Sequence, residues 1–316
     1  MAEILGLVLP FFGVIFLGYG VARIRRLPLD ALGWMNFFIV YVALPALFFQ
    51  LLSKTPIEKL TEWRFIGASV LATYTIFGLV FVAAYWRGKR NLAQPTIQGL
   101  AAAYGNIGYM GPGIALLAFG EGAAVPLALI FCFENALHFM VAPLFMALSG
   151  NDKRPQLIVA RDVASKILTH PFIIATIIGV TAAALHWQPP QAVTSMVDIL
   201  ARAAAPCALF AMGVTLAMRP LTSVPVELGA IVPMKLIAHP LLCYFIMKSI
   251  GGFDPVWVST AVLLASLPTA TNVFVLAQQY GVWVERASAT ILVTTMVSVV
   301  TVTGFLYAIK SGLLPV

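Results

Sequence analysis

The chain has 316 residues, of which 61% are hydrophobic and only 10% charged, and its formal net charge is +7. A water-soluble domain is about a quarter charged, so this composition excludes one and indicates an integral membrane protein. The positive surplus sits in connecting segments, which makes it a topology signal and argues against a nucleic-acid binder.

A membrane-spanning helix needs about 20 apolar residues. Ten stretches meet that length, at 3–22, 30–53, 64–86, 97–119, 123–148, 167–186, 193–218, 227–249, 256–280 and 286–309. They are too long for barrel strands, which run to about ten alternating residues. The expected fold is therefore all-α with ten transmembrane helices. The N-terminus carries Glu3 and no Lys or Arg ahead of its apolar run, so the first stretch reads as a retained helix and not a cleaved signal.

The fourth stretch contains Ala103-Tyr-Gly-Asn-Ile-Gly-Tyr-Met-Gly-Pro-Gly113. Four glycines and a proline in so short a run are a poor continuous helix. In lipid a break persists only inside protein or beside a watery cavity. The fifth stretch carries Glu134, Asn135 and His138, with Glu134 and His138 one turn apart on one face. Segment 150–166 is polar and reads as a cytoplasmic linker. In the seventh stretch Arg202 follows Asp198 by one turn, and the two could pair near an interface. The eighth carries Lys235 and His239, again four apart. The ninth is interrupted by Ser266-Leu-Pro-Thr-Ala-Thr-Asn-Val273.

A single shift of 161 residues relates the two halves. Leu7, Pro10, Phe11 and Gly18 reappear as Leu168, Pro171, Phe172 and Gly179. Ala43 and Pro45 reappear as Ala204 and Pro206, and Gly120 as Gly281. The two interruptions fall opposite each other, Gly111 against Asn272. A five-span unit ends on the side opposite its start, so the second copy enters the membrane inverted. The domains expected are a first repeat at 1–149, the linker at 150–166 and an inverted repeat at 167–316. Inverted repeats with broken helices are a common architecture of secondary transporters.

Two broken helices crossing near the midplane would aim positively polarised N-termini at one point, suited to an anion. Asn106, Thr269, Thr271 and Asn272 add neutral hydrogen-bonding groups there, and Gly111, Pro112 and Pro268 shape the breaks. Either break alone also reads as a packing kink; their matched positions favour a site. Charges at lipid depth usually face a cavity or a partner. Lys235 could attract a carboxylate or neutralise Glu134. Glu134, His138 and His239 are candidates for proton coupling, and Arg202 for charge attraction.

One set of loops carries Arg23, Arg25, Arg26, Arg87, Lys89, Arg90, Lys153, Arg154, Arg161, Lys166, Arg219 and Arg286, against Lys54, Lys59, Arg64, Lys248 and Lys310 on the other. The richer set is expected to face the cytoplasm, placing both termini outside. Trp63, Trp86, Trp187, Trp257 and Trp283 lie near predicted span ends, as interfacial anchors do. Cys132, Cys207 and Cys243 all fall within spans, so neither a disulfide framework nor a metal site is expected. No GxSxG, HExxH, Walker loop or CxxC occurs, so no enzyme and no cofactor are expected.

These motifs resemble the auxin efflux carrier family, within the superfamily that includes bile acid and related sodium symporters. The resemblance rests on Leu44-Pro-Ala-Leu-Phe48, Gly105-Asn106 through Met110-Gly111, Pro206-Cys-Ala-Leu-Phe-Ala-Met-Gly213, Lys235-Leu-Ile-Ala-His-Pro240 and Leu267-Pro-Thr-Ala-Thr-Asn272. It implies a scaffold domain of helices 1, 2, 6 and 7, a mobile transport domain of helices 3–5 and 8–10, and substrate held at the crossover by Asn106 and Asn272. It also implies a homodimer and a small organic anion as substrate, with malonate among those of bacterial relatives. Where the family usually has Gly-Ile-Pro, this chain has Gly111-Pro112-Gly113. The long cytoplasmic loop of plant members is absent. The resulting expectation is a carboxylate carrier of the bacterial inner membrane, driven by membrane potential, H+ or Na+. A passive channel and a carboxylate receptor are the alternatives.

Overall fold

The structure, a computed structural model, describes residues 2–25, 31–88, 91–149, 158, 161–162, 164–165, 168–218 and 225–316. Most of the predicted linker 150–166 lies outside the described residues, as do Arg26, Lys89, Arg90, Lys153, Arg154, Lys166 and Arg219.

Regular structure among the described residues is helical, with no strand. The first half contributes α1 (Ala2–Arg25), α2 (Ala31–Phe38), α3 (Leu44–Ser53), the short α4 (Ile57–Leu60), α5 (Trp63–Arg87), α6 (Ala93–Ala103), α7 (Gly111–Phe119) and α8 (Ala124–Leu148). The second contributes α9 (Pro171–Ala184), α10 (Gln191–Met218), α11 (Leu228–Pro233), α12 (His239–Ile250), α13 (Pro255–Ser266), α14 (Thr271–Tyr280) and α15 (Val284–Lys310). Among the described residues, six helical stretches are long and apolar enough to cross a membrane: Leu32–Ser53, Ile57–Arg87, Gly111–Leu148, Gln191–Met218, Leu228–Ile250 and Val284–Lys310.

Two π-helical turns, Ile39–Ala43 and Met234–Ala238, join α2 to α3 and α11 to α12. Each lies just ahead of a proline, Pro45 or Pro240. A proline has no N–H for the carbonyl four residues back, and its ring crowds that carbonyl. Here those carbonyls belong to Tyr41 and Leu236, inside the widened turns, and the wider turn relieves the crowding. Pro206, the repeat counterpart of Pro45, sits within the unbroken α10.

The chain forms two compact units, each drawing segments from both halves of the sequence. The first gathers Met1–Trp63, Gly108–Cys132 and Leu168–Pro220; the second gathers Arg64–Ile107, Phe133–Ile167 and Leu221–Val316.

In the first unit α1 packs on α10 and α3 on α9. Under the 161-residue shift, α1 corresponds to α9 and α3 to α10, so the two pairs are counterparts. Repeat-related glycines make both approaches possible. A Cβ on Gly18 would collide with the carbonyl of Phe210, and one on Gly179 would come within 3.0 Å of Leu52 Cβ. Gly213 is tighter still, since its Cβ would overlap the carbonyl of Ile15. Phe131 stacks on Phe48 with ring centroids 4.4 Å apart and meets Phe172 edge-on at 4.8 Å.

The second unit buries a core that includes Ile76, Phe77, Ile97, Leu100, Tyr104, Val273 and Leu276. Gly99 lets α6 lie on the Phe77 ring, which a Cβ would approach to 2.8 Å. Trp257 packs edge-on to Phe65 at 4.9 Å, while Trp63, Trp86 and Trp187 are exposed as anchors would be. The repeat-related glycines Gly120 (φ +72°) and Gly281 (φ +65°) end α7 and α14 respectively, in backbone conformations that cost a side-chain-bearing residue energy.

Candidate functional site

Both predicted interruptions are present. The helix stops at Ala103 and resumes at Gly111, and it stops at Ser266 and resumes at Thr271. Pro268 causes the second break locally, because a proline drives the residue before it out of helical geometry. Leu267 is accordingly extended, at φ −64° and ψ 151°. At the first break Tyr104 is extended at ψ 99°. Gly111 and Pro112 form the first turn of α7, where a missing N–H leaves no bond unmade, so the displaced proline suits a helix start. These two residues belong to the first unit.

In the second unit the two broken segments pair with each other. Asn106 donates its backbone N–H to the Pro268 carbonyl at 2.8 Å, and Ala270 donates to the Tyr104 carbonyl at 2.9 Å. Gly105 and Thr269 stand opposite each other as an isolated antiparallel bridge. Backbone groups released from one helix thereby satisfy those released from the other. Gly105 is needed at this point: a Cβ there would lie 3.1 Å from the Leu264 carbonyl and 3.4 Å from Lys235 Nζ.

Side chains lock the bridge. Thr269 is fully buried; its hydroxyl donates to the Ala101 carbonyl at 2.7 Å, and its N–H donates to Thr294 Oγ1 at 3.2 Å. Asn106 is buried, and Thr271 and Asn272 open α14 half-buried. Asn272 Nδ2 donates to the Tyr104 hydroxyl at 2.7 Å, and that hydroxyl donates to Asn135 Oδ1. The Tyr104 ring lies over His138, centroids 4.0 Å apart. His138 Nδ1 bonds the Tyr74 hydroxyl at 3.1 Å, while its buried Nε2 has no partner among the described residues.

A second polar group lies in the same unit. Glu134, buried on α8, accepts from Ser69 at 2.5 Å and from Thr73 at 2.9 Å, both on Oε1. Thr73 also meets His239 Nε2 at 3.1 Å. His239 Nδ1 lies 3.2 Å from Lys235 Nζ, and Lys235 donates to the Ala265 carbonyl at 2.6 Å. Lys235 and Glu134 form no ion pair; Thr73 and His239 stand between them. A lysine this deeply buried requires such polar partners.

The structure thus brings Asn106, Pro268, Thr269, Thr271, Asn272, Glu134, His138, Lys235 and His239 into one unit. Arg202 belongs to the first unit and is exposed. Its pairing with Asp198 is not made, because Asp198 accepts from Gln50 instead. A cleft of about 510 Å³ in the first unit, lined by Gln50, Lys54, Glu58, His186, Trp187 and Asp198 among others, contains none of the other predicted site residues.

Sequence reasoning missed Tyr104, Ser69 and Thr73 and gave Asn135 no role. Tyr104 directly precedes the Gly105-Asn106 break, which was the available signal. Ser69 and Thr73 left none, because hydroxyls in membrane helices commonly bond their own carbonyl four residues back. Thr75 and Thr96 do so here, to Leu71 and Leu92.

The sequence profile of the family described as "Membrane transport protein" matches residues 3–306. The chain belongs to that family. It is the auxin efflux carrier group that the five motifs resemble, and it is a family of transporters, not enzymes. The chain is 62% identical over 315 residues to a protein of Rhizobium meliloti (strain 1021) named "Putative malonate transporter", covering 100% of this chain and 98% of that one. It is 25% identical over 297 residues to an "Uncharacterized transporter" of Methanothermobacter thermautotrophicus, covering 93% and 94%. It is 24% identical over 309 residues to "Uncharacterized transporter YfdV" of Escherichia coli (strain K12), covering 96% of each. This membrane transport protein is accordingly an integral membrane transporter.

Proposed function

We propose that this transporter carries a small organic carboxylate, with malonate the leading candidate, across the bacterial inner membrane by alternating access. The observation that carries the reading is the hydrogen-bonded bridge between Tyr104–Asn106 and Pro268–Ala270. Paired breaks at matched repeat positions are where secondary transporters bind substrate. Asn106 and Asn272 would hold the carboxylate, with Thr269, Thr271 and the N-terminus of α14 beside it. The malonate assignment draws on the Rhizobium meliloti relative's name and on the level of identity to it.

In this reading ten spans form two inverted repeats, both termini lie outside, and the broken fourth and ninth helices cross near the midplane. A scaffold of helices 1, 2, 6 and 7, dimerising with a second copy, would support an elevator-like movement of helices 3–5 and 8–10. Two compact units that each draw on both halves of the sequence support a two-domain arrangement, with the difference that the first unit also takes Gly108–Cys132 from helices 4 and 5. Efflux of an anion is favoured by a negative interior at about 2.3 kcal/mol per charge per 100 mV, whereas uptake needs a coupled ion such as H+ or Na+. Purified protein in liposomes, offered a panel of labelled carboxylates, should show saturable flux of malonate that is stimulated by unlabelled malonate on the far side. Non-saturable flux would favour a channel, and binding without flux a receptor.

A further inference from the structure

We propose that the coupling ion is a proton, carried by a directed hydrogen-bond relay running from Lys235 through His239 and Thr73 to Glu134. This rests on the carboxylate-carrier reading and adds its energy source.

The direction of the relay follows from donor and acceptor counting. Thr73 has one hydroxyl hydrogen, and it goes to Glu134 Oε1 at 2.9 Å. Its contact with His239 Nε2 at 3.1 Å must then be donated by the histidine. A histidine carrying hydrogen on Nε2 leaves Nδ1 as an acceptor, and that atom faces the Lys235 ammonium at 3.2 Å. All three bonds therefore point one way. When the Lys235 N–H breaks and its proton joins His239 Nδ1, the Nε2 proton passes to Thr73 and the Thr73 proton to Glu134. An ammonium and a carboxylate become an amine and a carboxylic acid, and no heavy atom need travel. One further proton from solvent restores the ammonium while Glu134 stays neutral.

The relay begins at the substrate bridge. Lys235 Nζ holds the Ala265 carbonyl at 2.6 Å, just before the break at Leu267, and lies beside Gly105 on the other broken segment. An anion at the bridge is stabilised by a charged Lys235 and opposed by a charged Glu134. The proton that neutralises Glu134 while Lys235 remains charged therefore enters with the anion. The same ammonium occupies a carbonyl at a broken helix end, where transporters of this architecture otherwise coordinate Na+.

Glu134 is the one acidic residue buried among the described residues. The other titratable groups around the relay are Tyr74 on α5, Tyr104 at the first break, His138 on α8 and Cys243 one turn beyond His239 on α12. Tyr74 and His138 bond each other, and Tyr104 is held by Asn272 and Asn135, so their protons are engaged elsewhere.

The test uses the full-length protein in liposomes containing a pH-sensitive dye, with the membrane potential clamped and labelled malonate outside. An imposed inward proton gradient should drive malonate accumulation with internal acidification, and a sodium gradient should not. Glu134→Gln should lose gradient-driven accumulation at least tenfold while malonate exchange remains measurable. If that variant does not yield folded protein, Thr73→Val interrupts the same relay and should show the same split. Wild-type accumulation in Glu134→Gln, or accumulation by the wild type that ignores the pH gradient or follows sodium, overturns the relay but leaves the carboxylate reading standing. Absence of malonate exchange in the wild type overturns both.

Discussion

Asn272 Nδ2 donates to the Tyr104 hydroxyl at 2.7 Å, tying the first turn of α14 to the residue that ends α6. Backbone bonds between the same two breaks run alongside it, so the bridge is held by main chain and side chain together. Tyr104→Phe removes the hydroxyl and leaves the Asn272 and Asn135 amides each short of a partner. Stability should fall by about 1–3 kcal/mol, read from thermal unfolding in detergent. Tyr104→Ala should cost more, since it also opens a cavity over His138.

Asn106→Ala and Asn272→Ala should each weaken malonate binding by about 1–3 kcal/mol if each leaves a carboxylate oxygen unpaired. Calorimetric titration of the purified variants measures this. Thr194→Ala, in the first unit and outside the bridge, should bind as the wild type does.

Gly213→Ala should prevent α1 and α10 from packing, because the added methyl meets the Ile15 carbonyl and backbone has no room to yield. Loss of a monodisperse peak in size-exclusion chromatography is the expected result. Gly304→Ala is the contrast: its Cβ would meet nothing within 4 Å, and removing a glycine from a helix should stabilise by roughly 0.5–1 kcal/mol.

Gly281→Ala should destabilise the end of α14 by roughly 1–2 kcal/mol, because its left-handed backbone disfavours a Cβ although space is open. Hydrogen exchange should rise locally around Tyr280–Trp283 and little elsewhere.

The helices and their breaks were legible because lipid leaves few options. Long apolar runs must be helical, and Pro268 and the Gly105–Pro112 run cannot continue a helix. Helix ends fell within a few residues of the predicted stretches, as with α5 at Trp63–Arg87 against 64–86 and α10 at Gln191–Met218 against 193–218. Of the glycines that the shift sets opposite each other, Gly120 and Gly281 both end helices and Gly18 and Gly179 both lie at close helix contacts, positions where backbone constraints favour glycine. The shift did not give the register of the bridge. It sets Gly111 against Asn272, whereas the antiparallel pairing sets Gly105 against Thr269. That register depends on two segments meeting in space, which a linear offset does not encode. The partners of Glu134 were hidden for a similar reason: two hydroxyls, on Ser69 and Thr73, turn away from their own helix, and composition cannot show which way they turn.

The most direct measurement is equilibrium exchange of labelled malonate by the purified protein in liposomes, comparing wild type with the Asn106→Ala/Asn272→Ala double variant. Saturable exchange is expected in the wild type, with at least a tenfold loss in the folded double variant. Wild-type exchange by that variant would contradict a carboxylate site at the paired breaks.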